Sequence, residues 1–218
     1  MKNYIIKILS IYVLALIFIS ALVFVTDSNW LSNWFYGKFY VFQYSVFFII
    51  GCALSQTKYT LYYLIRRGKR RFTYFSIISE QYFLAILMTT LLFFFIICGG
   101  FFYPQEFYNL NFLYFVGWYF RYLLGLFLLS SLSSNFHISN KIFFHRYCFI
   151  IAFLLLAFET IILFPTIDTF FARKIYLLFS WTFNSEPESI IILLSVICLL
   201  NLRIYFFSNK RDVLWEIF

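Results

Sequence analysis

Six long apolar runs, joined by short polar connections, constrain the fold of this chain more than any other feature. The runs lie at residues 8–25, 39–54, 82–102, 112–132, 147–164 and 190–207. A helix needs about 20 mostly apolar residues to cross the hydrocarbon core of a bilayer. The runs lack the alternation of barrel strands, so each must satisfy its backbone hydrogen bonds as a helix. The sequence predicts an all-α, polytopic integral membrane protein with six transmembrane helices, forming a single transmembrane domain over residues 1–218.

The composition excludes an ordinary soluble domain. Hydrophobic residues make up 63% of the chain and charged residues 12%, about half the charged share of soluble proteins. The formal net charge of +8 would suggest nucleic-acid binding in a soluble protein. In a membrane protein, the retention of Lys and Arg on the cytoplasmic side explains the same excess, and we therefore expect no nucleic-acid partner.

The distribution of Lys and Arg predicts the orientation of the spans. If the N-terminus is cytoplasmic, thirteen of the 17 cations lie inside, Lys38, Arg173 and Lys174 lie outside, and Arg121 lies within a span. Because cations concentrate on the cytoplasmic side, both termini are predicted to be cytoplasmic, N-in and C-in.

Neither a metal site nor an active site is indicated by the sequence. The four cysteines lie in or beside four different apolar runs without paired spacing, which is typical of buried hydrophobic residues. There is no P-loop motif, no H-E-x-x-H and no Ser-His-Asp arrangement. We expect no catalytic residues, no metal and no cofactor in this chain, and no enzymatic activity of its own.

A dense basic cluster lies in the second cytoplasmic connection, residues 55–81. Arg66, Arg67, Lys69, Arg70 and Arg71 surround Gly68, which is expected to turn the chain after a short amphipathic helix. Cations this close repel one another unless anionic lipid headgroups or an acidic protein surface neutralise them. The cluster is therefore either a topology anchor on anionic lipid or a docking element for a cytoplasmic partner.

The third predicted helix is preceded by the sequence Leu-Ile-Arg-Arg-Gly-Lys-Arg-Arg, in a chain with six predicted helices and a cytoplasmic N-terminus. This combination resembles the membrane subunits of type-2 ABC exporters. The small permeases of bacteriocin export and lantibiotic immunity are the most similar members. The resemblance implies that residues 55–81 form a coupling loop, in which the residues Arg66 to Arg71 contact a cytoplasmic P-loop ATPase subunit that binds ATP and Mg. It also implies a second copy or a related permease subunit, an amphipathic peptide or lipid-like substrate such as an antimicrobial peptide, and a bacterial plasma membrane.

The connection before the sixth span gives a second point of resemblance. Residues 166–187 include an apolar stretch that is too short to cross the membrane, which predicts an outer re-entrant or interfacial segment. In the exporter family a short helical hairpin occupies this position. The N-terminus departs from the family, which often begins with an amphipathic helix on the cytoplasmic face, because this chain enters the membrane almost at once.

Two ionisable residues lie within predicted spans, Arg121 in the fourth and Glu159 in the fifth. Charges inside the membrane are rare and frequently functional. Counted from the outer ends of their helices, both lie at depths from which long side chains could meet, so we expect them to pair. The pair either holds two helices together or lines a polar transport path.

Two other functions remain open from the sequence. One is the substrate-binding subunit of an energy-coupling-factor vitamin importer, although its spans would be expected to contain more Gly, Ala and specific polar groups. The other is an ATPase-independent immunity protein, which sequesters a toxin and needs no coupling loop.

Overall fold

A computed structural model describes residues 2–26, 47–52, 70–108, 111–139 and 187–210. Within these ranges every regular element is an α-helix, and no strand occurs. The helices are α1 (Lys2–Thr26), α2 (Arg70–Gly100), α3 (Pro104–Tyr108), α4 (Phe112–Ser139) and α5 (Pro187–Lys210), and residues 47–52 are also helical. The all-helical class predicted from the apolar runs is confirmed for this part of the chain.

Among the described residues, two helices are long and apolar enough to cross a membrane. The qualifying stretches are Ile78–Gly100 in α2 and Phe112–Asn135 in α4. The apolar stretches of α1 and α5, Ile5–Phe18 and Ile190–Phe206, are shorter. The six-span arrangement as a whole extends into residues outside the described ranges, where the predicted fifth span (147–164) and most of the second lie.

The helix ends follow local sequence signals. Asn111 precedes α4, and its side-chain Oδ1 accepts a hydrogen bond of 3.0 Å from the backbone N–H of Leu113, as an N-cap residue does. Helix α2 ends at Gly100, and Pro104 begins α3 a few residues later. The turn between them is closed by backbone bonds from the N–H groups of Phe102 and Tyr103 to the carbonyl of Gly99.

The third predicted span is much longer than expected. The sequence placed it at 82–102, after a loop ending at residue 81, whereas α2 already begins at Arg70. No Gly or Pro interrupts the chain between Arg70 and Cys98, so nothing stops the helix from extending backwards. The other described spans are also longer than predicted: α1 mainly at its start, α4 by seven residues at its C-terminal end, and α5 by three at each end.

Among the described helices, α4 makes the most extensive contacts. Both α2 and α5 pack extensively on α4, while α2 contacts α5 and α1 less extensively. Hydrogen bonds join Tyr82 to Ser131 and Thr90 to Tyr119, so α2 and α4 are antiparallel. Contacts of Tyr82 with Asn201 and of Phe75 with Tyr205 show the same for α2 and α5. The start of α2 therefore lies at the same end of the bundle as the last residues of α4 and α5.

The core between these helices is apolar over most of its length. On α2 the buried residues recur every fourth position, at Leu84, Met88, Leu92 and Ile96. This spacing places them on one face of the helix. They pack with buried residues of the other helices, including Tyr12, Leu16, Phe48, Tyr122, Leu126, Leu193 and Ile197.

Gly51 marks a close approach between the helical residues 47–52, α1 and α2. A Cβ atom at this position would clash with the side chain of Leu84 and would contact Ile8. The ring of Phe47 lies 5.8 Å from that of Tyr12, centroid to centroid. Because Phe47 is level with Tyr12 and Gly51 with Ile8, residues 47–52 run antiparallel to α1, as expected if they belong to the predicted second span.

Candidate functional site: a polar junction of three helices

Buried and half-buried polar side chains gather where α2, α4 and α5 meet near the start of α2. We define the polar junction by seven residues: Gln81, Tyr82, Ser130, Ser131, Ser134, Asn135 and Asn201. Gln81 follows the first residue of the membrane-crossing stretch Ile78–Gly100 by three positions, and Asn135 is the last residue of the stretch Phe112–Asn135. The junction therefore lies at one end of both stretches, on the side where the basic cluster meets α2.

Gln81 of α2 forms two hydrogen bonds with side chains of α4. Its Oε1 accepts a hydrogen bond of 2.7 Å from the Ser130 hydroxyl and another of 3.1 Å from the Ser134 hydroxyl. All three side chains are buried. Residues 130 and 134 are one helical turn apart, so both hydroxyl groups point from the same face of α4 towards one amide oxygen.

Tyr82, Ser131 and Asn201 form a closed ring of hydrogen bonds across all three helices. The Asn201 amide donates to the Tyr82 hydroxyl at 2.7 Å, and the Ser131 hydroxyl donates to the Asn201 Oδ1 at 3.3 Å. The Tyr82 and Ser131 hydroxyl oxygens lie 2.9 Å apart. Since each hydroxyl has only one proton, Tyr82 must donate to Ser131, and the ring then has a single direction. Such cyclic arrangements polarise and strengthen their members.

Asn135 adds a second link between α4 and α5. Its amide donates to the backbone carbonyl of Leu200 at 3.0 Å and to that of Ser131, in its own helix, at 2.9 Å. The ring of Tyr82 also stacks on Phe127 of α4, with centroids 4.3 Å apart and planes inclined by 22°. This stacking fixes the direction in which the Tyr82 hydroxyl points.

The outer surfaces of the helices have the opposite character. Phe83, Ile86, Phe94 and Ile97 form an exposed stripe along α2, at helical spacing. Exposed apolar residues also follow α1 and α5, at Ile11, Leu14, Phe18, Ile191, Leu194, Leu199 and Leu202. Monomeric soluble proteins rarely expose apolar patches of this extent. Apolar outer faces of this kind are the arrangement expected in lipid.

Arg121 lies half-buried among aromatic rings in α4. Its guanidinium carbon is 5.7 Å from the centroid of the Trp118 ring, within the range of a cation–π contact. Next to them, the ring of Phe93 makes edge-to-face contacts with Tyr119 and Tyr122 at centroid distances of 5.3 and 5.8 Å. The expected partner, Glu159, is outside the described residues, and the pairing stays a prediction.

Only part of the basic cluster falls within the described structure. Arg70 and Arg71 are the first two residues of α2. Arg66, Arg67, Gly68 and Lys69 are outside the described residues, as is the predicted outer segment 166–187 except for Pro187. Within the described ranges, no group of three or more His, Cys, Asp or Glu side chains could hold a metal ion.

An apolar groove opens between α1 and the far end of α2. Its volume is about 340 Å³, and its lining includes Ile17, Ala21, Phe95, Gly99 and Phe102. The Ser20 hydroxyl also borders the groove but donates to the carbonyl of Leu16 in its own helix, at 2.7 Å. The groove and the polar junction lie at opposite ends of α2.

The sequence alone assigns several junction residues minor roles. The pattern of Ser130, Ser131, Ser134 and Asn135 is typical of the polar inner end of a span, Asn201 of an interface anchor, and Gln81 falls in the predicted loop 55–81. The spacing 130, 131, 134 and 135 did contain a signal, because it places four polar side chains on one face of a helix. The partners on the other helices could not be identified without the packing of the bundle.

Comparison with known proteins gives no match to this chain, whether with protein-family models, with curated proteins or with solved structures.

Proposed function

We propose that this chain is the permease subunit of an ATP-binding-cassette exporter, which spans a bacterial plasma membrane six times with both termini in the cytoplasm. It moves an amphipathic or hydrophobic substrate, such as an antimicrobial peptide. A separate P-loop ATPase binds ATP and Mg and supplies the energy, and a second copy or a related permease completes the transport path.

The observation that supports this proposal most is the continuity of α2. One helix begins inside the basic cluster at Arg70 and runs to Gly100, and it is bonded to α4 and α5 at Gln81 and Tyr82. The distance from Arg70 to Tyr82 along the helix is about 18 Å at 1.5 Å per residue. Because a continuous helix of this length is stiff, a movement of the basic connection would reach the junction at which α2 meets α4 and α5.

The exposed faces support the membrane part of the proposal. The apolar stripes on α1, α2 and α5 match lipid, and the hydroxyl groups of Ser10, Thr90 and Ser195 donate to carbonyls in their own helices. This internal bonding is what a polar side chain facing hydrocarbon requires. In this setting Arg121 and Glu159 are proposed to pair within the bundle.

The test is purification of the tagged protein from its native membrane in mild detergent, with identification of stoichiometric partners by mass spectrometry. The key variant replaces Arg66, Arg67, Arg70 and Arg71 by Gln. The matched control replaces Lys2 and Lys7 by Gln, which removes predicted cytoplasmic cations outside the coupling loop. Membrane insertion of each variant is checked by extraction with alkaline carbonate.

We expect a P-loop ATPase to be recovered with the wild type and the control and to be lost with the loop variant. Recovery of the ATPase together with a larger membrane scaffold would favour the vitamin importer class. Absence of any ATPase under conditions that preserve a known transporter complex would contradict the proposal and favour the partner-free immunity protein.

A further inference from the structure

We propose that the hydrogen bond from the Asn201 amide to the Tyr82 hydroxyl is a latch between α2 and α5, and that the bundle opens at this seam while α4 keeps its contacts with both helices. The seam is defined by two contacts, Tyr82 with Asn201 and Phe75 with Tyr205.

The packing of the three helices makes the seam the weakest of their mutual contacts. Both α2 and α5 pack along α4, but they contact each other far less extensively. Near the start of α2 the seam includes the 2.7 Å hydrogen bond and an edge-to-face ring contact, in which the centroids of Phe75 and Tyr205 lie 6.4 Å apart. A small interface of this kind separates at a lower cost than the two large ones.

Burial distinguishes the two bonds of Gln81 with α4 from the bond of Tyr82 with α5. The two bonds that Gln81 accepts from α4 are buried, so breaking them would leave polar groups without water. The bond between Asn201 and Tyr82 is partly exposed and lies at the end of the membrane-crossing stretches. Water can replace it when the helices part.

The direction of the hydrogen bonds also favours opening at this place. When α5 moves away from α2, Tyr82 still donates to Ser131, and Ser131 still donates to Asn201. Asn135 still holds the Leu200 carbonyl. Among the described hydrogen bonds of the junction, the one between Asn201 and Tyr82 is the bond that is lost, and α5 pivots on α4.

The latch is a property of this fold and does not depend on transport. The role of the latch in transport rests on the proposed function. A partner that pulls on the basic connection would move the start of α2, which is the segment that contains Phe75 and Tyr82. The seam would then open towards the cytoplasm.

Distances between spin labels test the latch in the full-length protein in lipid nanodiscs. One label pair, at Ser79 of α2 and Leu202 of α5, reports on the seam; both positions are exposed. A second pair, at Ser79 and Phe120 of α4, reports on the α2–α4 contact, and Phe120 is also exposed. The four native cysteines are replaced by Ala beforehand, so that only the introduced cysteines carry labels.

The test variants are Asn201→Leu and Tyr82→Phe. The second removes only one hydroxyl group and keeps the ring that stacks on Phe127, so it remains informative if Asn201→Leu does not fold. The matched control is Ser195→Ala, because the Ser195 hydroxyl donates to the Ile191 carbonyl in its own helix.

In either variant we expect the α2–α5 distance to lengthen or broaden by roughly 2 Å or more, the size of helix shifts in switching proteins. The α2–α4 distance and both distances in Ser195→Ala should match the parent protein. An unchanged α2–α5 distance would overturn the latch. Equal changes in both distances would overturn it as well, because the hydrogen bonds of Tyr82 and Asn201 would then stabilise the packing of all three helices and not the α2–α5 contact alone. Neither result depends on an ATPase, so failure of the latch is distinguishable from failure of the proposed function.

Discussion

Gln81 is the residue through which α2 is held to α4 by side-chain hydrogen bonds that are buried on both sides. Leu in its place fills a similar volume but removes the acceptor for the Ser130 and Ser134 hydroxyl groups. Hydrogen bonds between membrane helices contribute about 0.6 kcal/mol on average and at most about 1.7.

We therefore predict that Gln81→Leu lowers the free energy of unfolding by about 1 to 2 kcal/mol, since two buried hydroxyl groups lose one acceptor. Ser195→Ala, which removes only a bond within α5, should change it by less than about 0.5 kcal/mol. Unfolding by sodium dodecyl sulfate in mixed micelles measures both. A Gln81→Leu protein as stable as the wild type would show that this hydrogen-bonded contact does not hold α2 to α4.

Two glycines make a matched pair for testing the packing of residues 47–52. A Cβ atom at Gly51 would clash with the buried side chain of Leu84, whereas a Cβ atom at Gly117 would have no neighbour within 4 Å. A side chain at the first position therefore forces Leu84 to move within the core, whereas one at the second displaces nothing within 4 Å.

Gly51→Ala is predicted to destabilise the fold by about 1 to 3 kcal/mol, the usual cost of an overpacked core. Gly117→Ala is predicted to be neutral or to stabilise α4 by up to about 1 kcal/mol, because Ala is the better helix former. Thermal unfolding followed by circular dichroism in detergent ranks the two variants. The reverse ranking would contradict the close approach at Gly51.

At the level of whole elements, the sequence predicts where the apolar middle of each described helix lies, but it does not predict where the helices end. Hydropathy indicates which part of a helix would lie in lipid, and it predicts the third span at 82–102. The preceding residues 70–81 carry Arg, Ser, Glu and Gln, which hydropathy assigns to a loop. They are helical because Ile78, Glu80 and Gln81 are buried in the bundle, and this is a tertiary effect that a sequence window does not contain.

The early start of α2 leads to a prediction for hydrogen exchange. Backbone amides of residues 74–81 donate within the helix, whereas the first four amides of any helix have no partner inside it. Exchange measured by mass spectrometry in nanodiscs should show residues 74–81 protected at least about tenfold relative to an unstructured peptide. Exchange at the rate of an unstructured chain would contradict a helix over these residues and would favour the loop predicted from the sequence.

The same reasoning explains why the junction itself was missed. Four polar positions on one face of α4 were visible in the sequence, but their partners Gln81, Tyr82 and Asn201 come from two other helices. A sequence shows which side chains share a face of one helix. It does not show which faces of separate helices meet, because that depends on the packing of the apolar residues between them.

Over the described helices, apolar side chains dominate both the core and the exposed faces, and most of the buried polar side chains gather in the polar junction. The outer faces differ from those of a soluble helical bundle, which are polar. In the proposed six-span arrangement, α2 leads from the basic cluster, across the hydrocarbon core, to the turn at Phe101. The crossing of the membrane by α2, with Arg70 inside and Phe101 outside, is the central claim.

Cysteine labelling tests that claim most directly. In a protein whose native cysteines are replaced by Ala, one variant carries Arg70→Cys and another carries Phe101→Cys, whose parent side chain is 84% exposed in the turn after α2. A membrane-impermeant maleimide is applied to intact cells and then to permeabilised cells. We predict labelling of Phe101→Cys in intact cells and labelling of Arg70→Cys only after permeabilisation. Labelling of both positions from the same side would contradict a membrane-spanning α2, and the reverse pattern would contradict its orientation.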